Sequence, residues 1–154
     1  MASSPVVQVR QWLRDQFDAV LAGQGVSVHY ARPATDDMGK ECVWFMPART
    51  TLLEPAAHRA ATYRRTETVV QPFVISVAGD GLTQEAADER LLELYALIDE
   101  AAASTTFVQA AAALSSGQQI ESLRLTGWQL GAGPAEDGHV AELLATFGYT
   151  ARYL

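Results

Sequence analysis

The chain has 154 residues, and its 18 acidic against 11 basic side chains give a net charge of −7, which argues against a protein that binds nucleic acid by neutralising phosphates. Hydrophobic residues at 49% and charged ones at 19% fit a folded globular protein and exclude a disordered one. A single cysteine, Cys42, excludes an internal disulfide and a cysteine-rich zinc site, and no apolar run approaches the roughly 20 residues that span a bilayer.

The length fits one domain, expected over residues 1–154. The opening MASSPVVQVRQW lacks a basic start followed by an apolar block, so no signal peptide is expected, and the cysteine usage suits a reducing cytoplasm. Ser4-Pro5 reads as a helix start, with Ser4 as cap and Pro5 in the first turn. Val9, Trp12, Leu13, Phe17, Val20 and Leu21 follow at helical spacing, with Arg10, Arg14, Asp15 and Asp18 opposite, and Gly23 stops the helix. Gly25–Tyr30 alternates as a short strand, closed by the turn-like ARPATDDMGK, and Cys42–Met46 reads as a second strand ended by Pro47.

Residues 47–63 fit neither template and are expected to form a long loop. Arg64–Ala78 reads as the long strand, with Thr66, Thr68 and Val70, then Phe73, Ile75 and Val77, on one buried face. Pro72 cannot donate to a ladder, which places this strand at an edge or a bulge. Thr83 caps a second helix whose stripe is Ala87, Leu91, Leu94, Tyr95 and Ile98. Ser104–Leu114 is a shorter helix, Ile120–Leu130 a strand and residues 131–139 a glycine-rich loop. The last strand, from His139, turns Ala141, Leu143, Ala145, Phe147, Tyr149, Ala151 and Tyr153 to one face. The order α-β-β-β-α-α-β-β predicts an α+β fold: a mostly antiparallel sheet with two main helices packed on one face.

No constellation of residues points to catalysis. His29, His58 and His139 fall in separate elements. Glu54 and His58 share a helical spacing but lack a third metal ligand, and read as a surface ion pair. Asp36-Asp37 are favoured turn residues. Gly131-Ala132-Gly133 lacks the third glycine of a dinucleotide loop, and a strand rather than a helix follows it. Cys42 reads as a buried small hydrophobe. A non-enzyme without metal or cofactor is expected.

Charge is laid out less evenly than chemistry. Arg49, Arg59, Arg64 and Arg65 surround one acid, Glu54, whereas Asp80–Glu100 holds seven acids and one base, Arg90. Complementary patches of this kind set partner and register between copies. The expected oligomer interface therefore joins Arg59, Arg64 and Arg65 to Glu85, Asp88, Glu89 and Glu93.

These elements, with the Arg-Pro turn at Arg32-Pro33, the Arg64-Arg65-Thr66-Glu67 strand opening, Phe-x-Ile-x-Val at Phe73–Val77, Ala-x-x-x-Arg-x-x-x-Leu at Ala86–Leu94 and the closing Tyr-x-Ala-Arg-Tyr, resemble the tail terminator proteins of long-tailed bacteriophages, particularly those of GC-rich hosts. The likeness runs from about Val7 to Tyr153, with Arg90 matching the family's helix arginine; the loop at 131–139 has no placed equivalent. It implies a homohexameric ring that caps the tail tube, stops its polymerisation and presents a surface to the head-tail connector or stopper. The protein would be made in the host cytoplasm and end at the head-proximal end of the virion tail, with DNA only passing through the lumen and no membrane involved. The alternatives are another neck or tail component, such as a head-tail stopper or tail-completion protein, or a small ligand-binding domain with a pocket near His29 and Asp36.

Overall fold

A computed structural model describes residues 4–53, 66–79, 81–114, 118–132 and 139–153. The elements in chain order are α1 (Val6–Val20), β1 (Ser27–His29), a 3-10 turn at Thr35–Asp37, β2 (Glu41–Phe45), β3 (Arg49–Leu53), β4 (Thr66–Gly79), α2 (Gln84–Ala102), α3 (Thr105–Ala112), β5 (Gln118–Ala132) and β6 (His139–Tyr153). The strands form one six-stranded sheet in the order β1-β2-β4-β6-β5, with β3 also paired to β4, and only the β1–β2 pair is parallel. This is the expected α+β architecture, with a third, shorter helix beside the two main ones.

The helices share one face of the sheet because its strands alternate. On β4, Val69, Phe73, Ile75 and Val77 are buried, and on β6 so are Ala141, Leu143, Ala145, Phe147, Tyr149 and Ala151. They pack with Val9, Leu13 and Phe17 of α1, with Ala87, Leu91, Leu94 and Ile98 of α2, and with Phe107 of α3. At the centre Phe17 meets Phe73 edge-on at 5.0 Å and Phe45 at 5.2 Å, while Phe73 lies 5.6 Å from Phe147. Aromatic pairs at such spacings add about 0.5–1.5 kcal/mol beyond the area they bury.

Four expectations are corrected. Ser4 does not cap α1: its hydroxyl donates to Glu67 Oε1 at 3.2 Å, and Pro5 takes the cap position without a side-chain bond. Thr83 and Ser104 do cap their helices, accepting from the amides of Ala86 and Phe107. The segment expected as a loop at 47–63 contains β3, whose Arg49–Leu53 run antiparallel to Val70–Thr66; the remainder of that segment lies outside the described residues. The third correction is that β4 is central rather than at an edge, paired along its length with β6 and on its other side with β2 and then β3.

Pro72 is tolerated there because it sits where the partner changes from β2, ending at the Phe45–Phe73 pair, to β3, starting at the Arg49–Val70 pair. Its carbonyl accepts from the Met46 amide at 2.9 Å, and the amide and carbonyl of one strand residue point to the same neighbour. The missing N–H therefore falls in the break, where no ladder acceptor waits. The last correction concerns phase. Alternation runs unbroken through Pro72, so Glu67, Val69 and Gln71 face the helices, whereas Thr66, Thr68 and Val70 face away.

Gln71 makes use of the same break. It is 1% exposed, accepts from Arg10 Nε at 3.0 Å and donates to the carbonyls of Met46 at 2.7 Å and Pro72 at 2.8 Å. A buried amide so bonded fixes α1 to the point where the chain leaves β2.

Candidate interaction surfaces

Of the expected interface residues, Arg59, Arg64 and Arg65 lie outside the described residues, while Glu85, Asp88, Glu89 and Glu93 all lie on α2. Their situations differ. Asp88 is half-buried and accepts from Gln84 Nε2 at 2.8 Å, and Glu93 is exposed but holds Arg90 at 3.1 Å. Glu85 and Glu89 are exposed and have no ion-pair partner among the described residues. At helical spacing they continue into Leu92, Ala96 and Glu100, all exposed, as one stripe on the outer side of α2.

Arg90 does a different job within the chain. Its guanidinium bonds both carboxylate oxygens of Glu41 on β2, with Nε 2.7 Å from Oε2 and Nη2 3.1 Å from Oε1, and also the Gln24 carbonyl at 3.1 Å. Its hydrogen bonds to Glu41, aided by Glu93, raise its pKa above the ordinary arginine value. One side chain thus joins α2, β2 and the turn after α1, which Gly23 and Gly25 make possible by positive φ angles of 81° and 75°.

No described α-helix packs on the opposite face of the sheet, though Arg32 and Met38, on either side of the 3-10 turn, reach onto it. Across it run the residues that alternate with the core: Cys42 and Trp44 of β2, Val74 and Ser76 of β4, and Glu142 and Leu144 of β6. Cys42, Trp44 and Val74 form a small apolar cluster flanked by Met38 and Leu144. Trp44, Val74 and Leu144 line a groove of about 650 Å³ together with Arg32, Gln129 and Glu142. The Arg32 guanidinium stands 5.8 Å from the centre of the Trp44 ring. Burial, with Glu142 adding to it and Arg32 opposing, pushes the Cys42 thiol up to about 11.

Further along the same face come Arg49, paired with Val70, Arg124, paired with Gly148, and Arg152, which bridges to Glu121 at 3.4 Å. Four of the seven described arginines thus lie on the open face, beside Glu121 and Glu142, whereas the outer side of α2 is acidic. Sequence reasoning missed this segregation. Arg152 was legible, since it alternates with the buried odd-numbered residues of β6. Arg124 was hidden by two bulges in β5, between Glu121 and Arg124 and between Leu125 and Gly127, the first holding Ser122 at φ 58°.

The remaining candidates stay apart. His29 is half-buried, with Nε2 3.1 Å from the Ser27 hydroxyl, and Asp36 and Asp37 are exposed in the 3-10 turn. His58 and residues 133–138 of the glycine-rich loop lie outside the described residues. Among the described residues no three metal-ligating side chains gather, and no helix is long and apolar enough to cross a membrane.

A chain in the structure of the virion of a native gene transfer agent particle has the same arrangement, with a TM-score of 0.51 over 95% of this chain and 91% of that one. The two share a fold. Their sequences are 18% identical, a level at which the likeness speaks for the fold alone. No protein family and no curated protein matches this sequence.

Proposed function

We propose that this chain is a structural, non-enzymatic component of a phage-like particle, and within that class a tail terminator. The end-to-end likeness to a chain of the gene transfer agent virion carries the reading, because it spans nearly the whole of both molecules and is not confined to one motif. The resemblance of Arg64–Glu67, Phe73–Val77 and Arg90 to the terminator pattern selects the finer role. In that role six copies close into a ring on the finished tail tube, halt its growth and offer the opposite surface to the head-tail connector or stopper. The net charge of −7 suits a lumen through which DNA passes without adhering.

Electron microscopy of the purified protein mixed with tail tubes tests this. Ring-shaped density on one end of each tube, and tubes of uncontrolled length when the gene is deleted, are the expected results. Density on isolated heads and none on tubes would instead favour the head-tail stopper.

A further inference from the structure

We infer that the far end of β5 is a contact site for a second copy of this chain, the two β5 strands pairing antiparallel about a two-fold axis at Gln129. The inference concerns the edge of the sheet, goes beyond the proposed function and does not depend on it.

β5 is the last strand of the sheet, with β6 on one side and no described strand on the other. Its two halves differ. The first carries Glu121, Arg124 and both register shifts, and charges and bulges are devices that keep an edge from pairing with another chain. From Gly127 the register to β6 runs unbroken to Ala132, without a charge, a proline or a bulge. Residues 126–131 are all exposed, Trp128 at 48% and Leu130 at 39%.

The ladder shows which backbone groups of this half point outward. The Pro72 carbonyl accepts from the Met46 amide, so Pro72 is turned away from β6, and Thr146 opposite it is turned towards β5. The Thr126 hydroxyl meets the Thr146 carbonyl on that side. Gly127, opposite Thr146, therefore faces β6, as do Gln129 and Gly131. The amides and carbonyls of Trp128 and Leu130 point out of the sheet, where no described backbone group bonds them.

The residues of this stretch decide the occupant. Gly127-Trp128-Gln129-Leu130-Gly131 reads the same by class in both directions: glycine, large apolar, glutamine, large apolar, glycine. Turned about Gln129, Trp128 of one copy exchanges both backbone bonds with Leu130 of the other, and the symmetric pair repeats the exchange. Their side chains then lie together on the helix-covered side, where Trp128 already meets Tyr95 at 5.9 Å. Glycine stands opposite glycine. Gln129 stands opposite Gln129 on the other face, and each amide can both donate and accept. No charge within the stretch is set against its own image, which matters for self-association of a chain with net charge −7. Such a contact is isologous and closes at two copies.

Cysteine cross-linking in the full chain tests the contact. The two Gln129 Cα atoms would lie about 4.5 Å apart, within the span that a disulfide bridges. The buried Cys42 is first replaced by alanine. In that background Gln129→Cys should give a covalent dimer under mild oxidation, whereas Glu100→Cys, exposed on α2, should cross-link far more slowly. No dimer from Gln129→Cys, or equal rates at both positions, overturns the inference. Sedimentation adds a second readout. Gln129→Lys and Gln129→Glu each set like charges opposite one another and should weaken dimerisation roughly fivefold or more, while an equal mixture recovers as a heterodimer. The side chain is exposed and the ladder to β6 is untouched, so circular dichroism should not change. Charged variants that dimerise like wild type, or a mixture that does not recover, also overturn the contact; if a charged variant does not fold, the cross-linking result decides.

Discussion

The two faces of β4 and β6 are made from alternate residues of the same strands, yet they are different materials. The helix-covered face is a continuous aromatic and aliphatic core, with Gln71 and Glu67 as buried polar side chains bonded to α1 and the segment before it. The open face has one apolar cluster, around Trp44, set among threonines and arginines. The first face holds the main core; the second buries only the small cluster of Cys42, Trp44 and Val74 and is otherwise largely polar. Period-two alternation lets one strand serve both ends.

Substitutions on the helix-covered face have the largest expected effect. Phe73→Ala removes the ring that touches Phe17, Phe45 and Phe147, and should cost about 3–5 kcal/mol in urea unfolding, a large share of a typical domain's stability of about 5–15. A loss below ~1 kcal/mol would mean that the aromatic cluster is not the centre of the core.

Next comes the clamp on α2. Arg90→Met leaves the half-buried Glu41 carboxylate without its bidentate partner and should cost about 1.5–3 kcal/mol. Glu41→Gln with Arg90→Met should recover part of that loss, measured by the same unfolding curves in a double-mutant cycle.

The open face has one tight place. A methyl group at Gly148 would stand 2.9 Å from Cγ2 of Thr126, whose hydroxyl lies 2.6 Å from that of Thr146. Gly148→Ala should therefore destabilise by about 1–2 kcal/mol. Adding Thr126→Ser, which deletes that methyl and keeps a hydroxyl, should restore most of it; no rescue would place the strain elsewhere.

The thiol under the open face supplies a pH test. Folding raises the Cys42 pKa from the ordinary 9.0 to about 11, so the folded state holds its proton more tightly than the unfolded one. Its stabilising contribution is complete below the lower value and is lost as pH rises through the upper one. Comparing wild type with Cys42→Ala, the wild-type melting temperature should fall more steeply across that window; parallel curves would show that Cys42 is not shielded.

The smallest stability effect is expected at the exposed cations. Arg124→Glu should change the unfolding free energy by less than about 0.5 kcal/mol. A larger loss would show that the exposed Arg124 side chain takes part in folding.

Much of this division was legible in the amino-acid sequence. The apolar stripe of α1, the threonine cap and buried stripe of α2 and the odd-numbered core residues of β6 follow from period and capping alone, because they are local consequences of backbone geometry. Strand β3 was not legible: RTTLL is short, has no alternating apolar pattern, and becomes a strand only because β4 offers an unpaired edge beyond Pro72. For the same reason Pro72 suggested an edge, since no local rule reveals that two different strands meet opposite it. Glu67 and Gln71 were invisible as buried residues, because their partners, Ser4 and Arg10, lie 63 and 61 residues away in the chain. The basic open face was hidden in part by the bulges of β5, which break the alternation by which Arg124 would have been placed. Local sequence therefore determined which segments are helices, which strands alternate and which side chains form the core. The tertiary structure decided which strand is central, which buried polar groups find partners, and which charges share a face, because each of these depends on segments distant in the chain.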